Sequence, residues 1–473
     1  MSIRLEKVPT GLPGLDQLTL GGLPKGRTTL ITGKSGAAKS ILALQLACSF
    51  ARRGLKTVVM AVEEAPEDLV STGDGLGFGL SELVKAGKLH ITDMTRPTDG
   101  MMVVTGDYDV TGLVHRIDIA VKELGAAAVV LDSATALFSP RPPEDRLRNQ
   151  FFQLIQAFRR HSLTAIITAE APDDYGPRTT LGVEDFVCDA VLVLRNLVDD
   201  ERRRRTLEVH KYRRSAHKKG EYPCTITDKG LMVFPFSTEP LFESTQTTRF
   251  SSGFEGLDTM THGGWLRDSI TLVRGPSGSG KTTLAGMYAR AGVLRGERVA
   301  YYGFEETRPM LLRNFANMGL PMDELVKDGR LRMDCRYPEA TSPEDLLVEL
   351  RRSLEELEPS LIVLDSISSI AHSTSTRGFR QFMVGFASLV REHSRSALMT
   401  QAINSKHDDE STAPFLSTIT DSIIGLDYHR AGTRLERTIS VVKMRGSPHV
   451  EESCLLTIRP GGLQVTVPEQ ARR

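Results

Sequence analysis

The chain holds a single tryptophan, only five cysteines and no surplus of either charge, and each shortage removes a class of protein. The cysteines (Cys48, Cys188, Cys224, Cys335, Cys454) are odd in number, scattered, and free of CxxC or metal-ligand spacing. That excludes a disulfide scaffold or zinc module and reads as reduced thiols in a cytoplasmic protein. Lys plus Arg and Asp plus Glu both total 59, so no net field draws the molecule to nucleic acid or to anionic lipid. No apolar run reaches the length of a membrane span, and the opening MSIRLEKVPTG lacks a secretory hydrophobic region. The histidines show no ligand spacing. What is left, 40% hydrophobic and 25% charged over 473 residues, suits a globular protein of two or three domains.

An internal repeat organises the chain. VPTGLPGLDQLTLGGLPKGRTTLITGKSGAAKS, from Val8, aligns with FSSGFEGLDTMTHGGWLRDSITLVRGPSGSGKT, from Phe250, at a constant offset of 242 (275 − 33). Gly14-Leu15-Asp16 meets Gly256-Leu257-Asp258, and the register continues without a gap to Glu63-Glu64 and Glu305-Glu306. So long a register indicates duplication of a whole domain. The Ser/Thr-rich stretch FSTEPLFESTQTTRF suits an exposed connector, which places domains at 1–236 and 251–473 with a linker at 237–250. In each half, apolar runs alternate with helical patterns: Thr29–Thr32, Thr57–Val62, Ala127–Leu131 and Ala165–Thr168, then Ile270–Val273, Val299–Phe304, Leu361–Leu364 and Ala397–Met399. The pattern predicts two α/β domains, each a mostly parallel sheet flanked by helices.

GPSGSGKT, Gly275 to Thr282, is a full G-x-x-x-x-G-K-[ST] phosphate loop between a predicted strand and a helix beginning at Thr283. Gly275, Ser277, Gly278, Ser279, Gly280 and Thr283 supply backbone N–H groups to phosphate oxygens. Lys281 reaches the β- and γ-phosphates, and the Thr282 hydroxyl is placed to ligate Mg²⁺. The first copy, Gly33, Ser35, Gly36, Ala37, Ala38, Lys39 and Ser40, has alanine where the second glycine belongs. A Cβ there stands beside the phosphates and penalises positive φ, leaving two outcomes open: retained ATP binding, or a weakened site.

Carboxylates follow both cradles. Glu63-Glu64 and Glu305-Glu306 come directly after a strand, on the rim where α/β sheets bind ligands. One of each pair can accept a proton from an attacking water or hydroxyl while its neighbour orients it. An isolated Glu-Glu is usually a solvated loop; its recurrence at the same offset favours function. Asp132 and Asp365 close the apolar runs AAAVVLD and SLIVLD, as does the acid that supports Mg²⁺ in P-loop enzymes. Ser40, Thr282 and Glu305 are the expected Mg²⁺ ligands.

Lys211 and Arg213 end one extended run, and Lys443 and Arg445 end another. Cations two apart on a strand share a side and can reach a neighbour's γ-phosphate as an arginine finger does; the plain alternative is a solvated strand end. Ser417, Thr418 and Thr420 precede an apolar strand and, on composition alone, read as edge or capping residues. The run Arg202–Arg205 reads as a solvated face or interface ion pairs, and Trp265 as packing beside the P-loop sheet.

These residues together resemble the KaiC family of double RecA-like ATPases. The likeness spans roughly Val8 to Gly461 and rests on the paired glutamates, ERRRRTLE (Glu201–Glu208), KGEYPCTITDKG (Lys219–Gly230), FRQF (Phe379–Phe382), STITD (Ser417–Asp421) and KMRGS (Lys443–Ser447). It implies a homo-hexamer with ATP at subunit interfaces, a slow ATPase in the first ring, and an autokinase and autophosphatase in the second. By position, Glu63 and Glu64 would assist hydrolysis and Glu305 would be the base for phosphoryl transfer. Ser417 and Thr418 match the phosphorylated pair, with Thr412 a further hydroxyl of that region. Lys443, Arg445 and Arg437 match groups reaching the neighbour's nucleotide, and Lys211 and Arg213 their first-ring counterparts. Three features depart from the family: Ala38; Arg214, where a glycine is usual; and a chain running only 28 residues past Arg445 (473 − 445). That last is short of the tail that binds KaiA, so phosphorylation is expected to run without that activator. A KaiB-like partner is expected at Met101 to Gly112. The competing readings are a RecA/RadA-type recombination ATPase acting on DNA and a nucleotide-gated scaffold with little turnover.

Overall fold

The computed structural model describes residues 5–94, 111–139, 141–182, 187–199, 202–235, 246–338, 341–403 and 414–467. The chain divides into two compact units, Met1–Pro235 and Phe236–Arg473.

Each unit is built on a nine-stranded sheet. In the first the spatial order is Leu89–Asp93, Thr57–Ala61, Ala128–Asp132, Thr164–Glu170, Thr28–Gly33, Ala190–Asp199, Arg202–Tyr212, Glu221–Thr227 and Gly230–Val233. The first six are mutually parallel, and the last three turn back as an antiparallel meander. In the second the order is Leu331–Cys335, Val299–Gly303, Leu361–Asp365, Ser396–Ala402, Ile270–Gly275, Ser422–Ala431, Arg434–Met444, Cys454–Arg459 and Gly462–Thr466, with the same change of direction. The apolar runs foreseen from the sequence are the buried parallel strands, as continuous Val/Ile/Leu stretches require.

The strand carrying each P-loop lies mid-sheet, between strands reached by crossovers on opposite sides. That is the switch point where open α/β sheets gather ligands at the carboxyl ends of their strands. Helices Lys39–Arg52 and Lys281–Leu294 leave the two loops. On the second, Leu284, Tyr288 and Val293 pack against Val273, Tyr301, Val363 and Leu398 of the sheet. Trp265 is buried edge-on to Tyr288 of the P-loop helix, 6.4 Å between ring centroids, in the core that this helix shares with the sheet the sequence reading named.

Two repeat motifs have local structural work. Asp16 accepts hydrogen bonds from the Thr10 N–H (2.8 Å) and hydroxyl (2.7 Å), and Asp258 from the Ser252 N–H (2.7 Å), fixing the loop that enters each domain. Residues 249 and 250, read above as the end of the connector, pair with Trp265 and Leu266 and bury Phe250 in the second core. Among the described residues no helix is long and apolar enough to cross a membrane.

Candidate functional site

In the second unit strand Ile270–Gly275 delivers the loop, and Gly280 caps the following helix at φ 106°. Its counterpart Ala38 caps helix Lys39–Arg52 at φ 78°, the same left-handed region. An L-residue pays about 1 kcal/mol or more for that conformation. A Cβ built on Gly280 would meet Leu463 at 3.3 Å and Ile458 at 3.9 Å, side chains of the meander, and Ala38 is only 9% exposed. The cost visible at Ala38 is its left-handed backbone, the positive φ that the sequence reading penalised.

The P-loop lysines lie along their own loops. Lys39 Nζ donates to the Lys34 carbonyl at 3.0 Å, and Lys281 Nζ to those of Gly275 (2.9 Å) and Pro276 (2.8 Å). Burial pushes both ammonium groups down, opposed by Glu170, Asp132 and Glu63 around the first and by Glu305 and Asp365 around the second. Ser35, Gly36, Ser277 and Gly278 are exposed at the loop tips, while Gly33, Ala37, Gly275, Ser279 and Thr283 are buried beneath them.

Asp132 and Asp365 end their strands almost fully buried. Burial raises both carboxyls, and hydroxyls offset it in part. Thr168 donates to Asp132, with Ser40 also bonded to it. Asp365 receives Tyr301 at 2.6 Å, Thr400, and Thr282 at 3.4 Å. Each P-loop hydroxyl is thus brought to its strand-end acid, as the sequence reading anticipated. The tyrosine was not foreseen, because a buried Tyr in an apolar strand reads as core.

The glutamate pairs reach the same rim. Ser133 donates to Glu63, and Ser366 (2.5 Å) and Ser369 (3.3 Å) to Glu305. Ser133 and Ser366 each follow a strand-end Asp, so the first glutamate of each pair is tied beside the buried acid. The second glutamates differ. Glu306 accepts from Asn314 at 2.7 Å, whereas burial, with Asp132, Asp68 and Glu63 nearby, raises the Glu64 carboxyl.

In the second unit the basic residues meet the hydroxyl-bearing segment. Ser417 and Thr418 lie in a helical turn spanning 414–419, just before strand Ser422–Ala431, where composition alone suggests strand-edge or capping residues. Lys443 Nζ donates to the carbonyls of Ser417 and Thr420 (2.8 Å), and Arg445 to that of Thr418 at 3.0 Å. Arg437 bonds the Gly278 carbonyl of its own P-loop at 3.1 Å and stacks on Tyr428. In the first unit Lys211 lies at the end of strand Arg202–Tyr212, and the Arg213 N–H donates to Asp189, as Arg445 does to Asp421. Arg214 stands at φ 65° and its counterpart Gly446 at φ 67°, both in the left-handed region that favours glycine. Thr412 and residues 101–110 lie outside the described residues. No group of three or more His, Cys, Asp or Glu suited to a metal occurs among the described residues.

The comparisons with known proteins agree with this geometry. The family model described as "ATPase: KaiC" matches residues 8–238 and again 250–470. The "Circadian clock oscillator protein KaiC" of Picosynechococcus sp. is 38% identical over 467 residues, 98% of this chain and 90% of that protein. The "Circadian clock protein KaiC3" of Synechocystis sp. is 38% identical over 466 residues, 98% and 92% of the two chains. The oscillator protein of Thermostichus vulcanus is 37% identical over 454 residues, 95% and 86%. With two RecA-like units, each carrying a phosphate loop, a strand-end acid and a paired glutamate, the chain belongs to the KaiC family of ATPases.

Proposed function

We propose that the protein is a homo-hexameric, cytoplasmic ATPase in which the first unit transfers the γ-phosphoryl group to water and the second transfers it to Ser417 and Thr418. The observation that carries this reading is the clasp of Lys443 and Arg445 on Ser417–Thr420. Cations of the type that stabilise a phosphoryl group hold the backbone of the two acceptor hydroxyls.

ATP would lie on the loops Gly33–Ser40 and Gly275–Thr282, with Lys39 and Lys281 turning from loop carbonyls to phosphate oxygens. The Thr282 hydroxyl beside the Asp365 carboxylate is a pair of hard oxygen donors that fits Mg²⁺, and Ser40 with Asp132 repeats it. Glu305 is placed to complete that set. When bound, Mg²⁺ supplies positive charge against the β- and γ-phosphate oxygens. Glu305 accepts the acceptor hydroxyl's proton as its oxygen bonds to the γ-phosphorus and the bridging bond to ADP breaks. Glu63 and Glu64 do the same for water. The reverse transfer, or hydrolysis of the phosphoester, gives the autophosphatase. Lys443, Arg445 and Arg437, with Lys211 and Arg213 in the first ring, neutralise charge at the phosphates, across the subunit boundary where their reach allows.

A role in circadian timing or related signalling is supported by the names of the relatives, and the KaiB-like partner at 101–112 stays a part of the proposal that rests on the family resemblance alone. The reading is tested by incubating the protein with Mg·ATP. Native mass measurement should show six copies, and peptide mapping should find phosphate on Ser417 and Thr418. An unchanged intact mass after prolonged incubation would remove the kinase activity.

A further inference from the structure

The second unit contains an open cleft of about 490 Å³ walled by Arg274, Gln401, Lys443 and Ser417 over a floor of Leu272, Ile423 and Val442. The register explains how it forms. Arg274 pairs with Gln401, and Leu272 with Ile423, which pairs in turn with Lys443. These positions sit in two adjacent rows of one sheet face. Alternate residues Val273 and Ile424 belong to the core beneath the P-loop helix, so the cleft opens on the opposite face from that helix.

Its chemistry is specific to this half. In the first unit Thr32 and Ala169 occupy the paired positions of Arg274 and Gln401, and the Thr32 hydroxyl donates to the Arg178 carbonyl. The guanidinium and the amide thus exist only in the unit that carries the Ser417–Thr418 turn. The Gln401 side-chain amide, which can donate through Nε2, lines the same cleft. Among the described residues, Lys443 gives two of its three donors to Ser417 and Thr420.

We propose that this cleft is a receptor for a phosphoryl group, held by Arg274 and Lys443 with Gln401 donating, and that its occupant is either the phosphate on Ser417 or free inorganic phosphate. The Ser417 case rests on the phosphorylation reading above. Two cations match a phosphate dianion, and the guanidinium fork suits its paired oxygens. A phosphate on Ser417 would be close to this cleft, because that residue already lines it. Thr418 is exposed, its hydroxyl donates to the Phe415 carbonyl at 2.7 Å, and it does not line this cleft. The two phosphoester sites should then differ in lifetime.

Two arms test this. In the first, inorganic phosphate is titrated into Ser417→Ala protein with both cradles filled by Mg·ADP, and thermal unfolding is followed. Saturable stabilisation is expected, with the apparent Kd raised about tenfold by Arg274→Gln, as loss of a charge-assisted contact implies. In the second, ATP is removed from phosphorylated protein and phosphopeptides are followed in time. Arg274→Gln should shorten the Ser417 phosphate half-life about tenfold and leave that of Thr418 unchanged, with Arg274→Lys recovering part of the loss. Gln401→Leu gives a second, milder variant should Arg274→Gln fold poorly. If Ser417 is never phosphorylated yet phosphate binds in an Arg274-dependent way, the kinase reading falls and the cleft stands as a site for free phosphate. If neither arm responds to Arg274 and Gln401, the receptor is overturned even with the kinase intact.

Discussion

The first P-loop helix opens on Ala38 at φ 78° and the second on Gly280 at φ 106°, so one backbone is built twice and strained once. The environments of the two cradles diverge around that shared frame. Asp365 is held by Tyr301, Thr400 and Thr282, where the first unit has Val59 in place of the tyrosine. Glu170 stands beside Lys39, while the corresponding strand of the second unit ends in Ala402. Beyond the sheet, the second unit sets a hydroxyl-bearing turn against Lys443 and Arg445. Duplication preserved the phosphate loop, the strand-end acid and the glutamate pair, and what changed is the set of groups standing around them.

The comparison is sharpened most by exchanging the roles of the first glutamates. Glu305→Gln is expected to slow phosphate incorporation at Ser417 and Thr418 by about 100-fold, the usual worth of a general base, with first-unit hydrolysis unchanged. Glu63→Gln should do the reverse. Initial rates of phosphopeptide formation and of phosphate release separate the two, and equal losses in both variants would merge the units into one catalytic system.

A smaller effect is expected at the strained cap. Ala38→Gly should stabilise the first unit by up to about 1 kcal/mol, and Gly280→Ala should destabilise the second by a similar amount. Denaturant midpoints of the variants check both signs. No change at Ala38 would mean that the left-handed cap costs the first unit nothing.

The smallest contrast lies in acid. For Glu208, burial favours the neutral form, but hydrogen bonds from Arg195 and His210 outweigh it; for Glu297, those from Arg267 and Arg295 do so. Both carboxyls are held below their ordinary value of 4.5. A depressed folded value contributes stability that is complete above the ordinary range and lost as pH falls through the lowered value. Glu297→Gln and Glu208→Gln should therefore flatten the loss of stability below about pH 4.5, most visibly at low salt. Unfolding midpoints against pH would show it, and an unchanged slope would assign acid lability to other groups.

Much of this was legible in the residues. The parallel strands, both cradles, the strand-end acids and the glutamate pairs each carry a local pattern that physics enforces: unbroken apolar runs for strands buried on both faces, glycines for the loop, a carboxylate at a strand end. The meander was only partly legible, because its strands alternate polar and apolar residues and mix charges such as Arg202–Arg205 into the ladder. The turn at 414–419 was not legible because Ser and Thr suit caps and strand edges as readily as a short helix, and long-range bonds from Lys443 and Arg445 decide between them. Ser133, Ser366, Thr168, Thr400, Arg274 and Gln401 gave no signal of their own. They act through partners brought close only by sheet register.

The account rests on two cradles giving two fates to the same phosphoryl group, and single-turnover partitioning of γ-labelled ATP tests that most directly. With Lys39→Ala, only the second cradle works, and the first turnover should place label on the peptide containing Ser417 and Thr418. With Lys281→Ala, all label should leave as inorganic phosphate. Label on protein in the Lys281→Ala variant, or on neither variant, would contradict it.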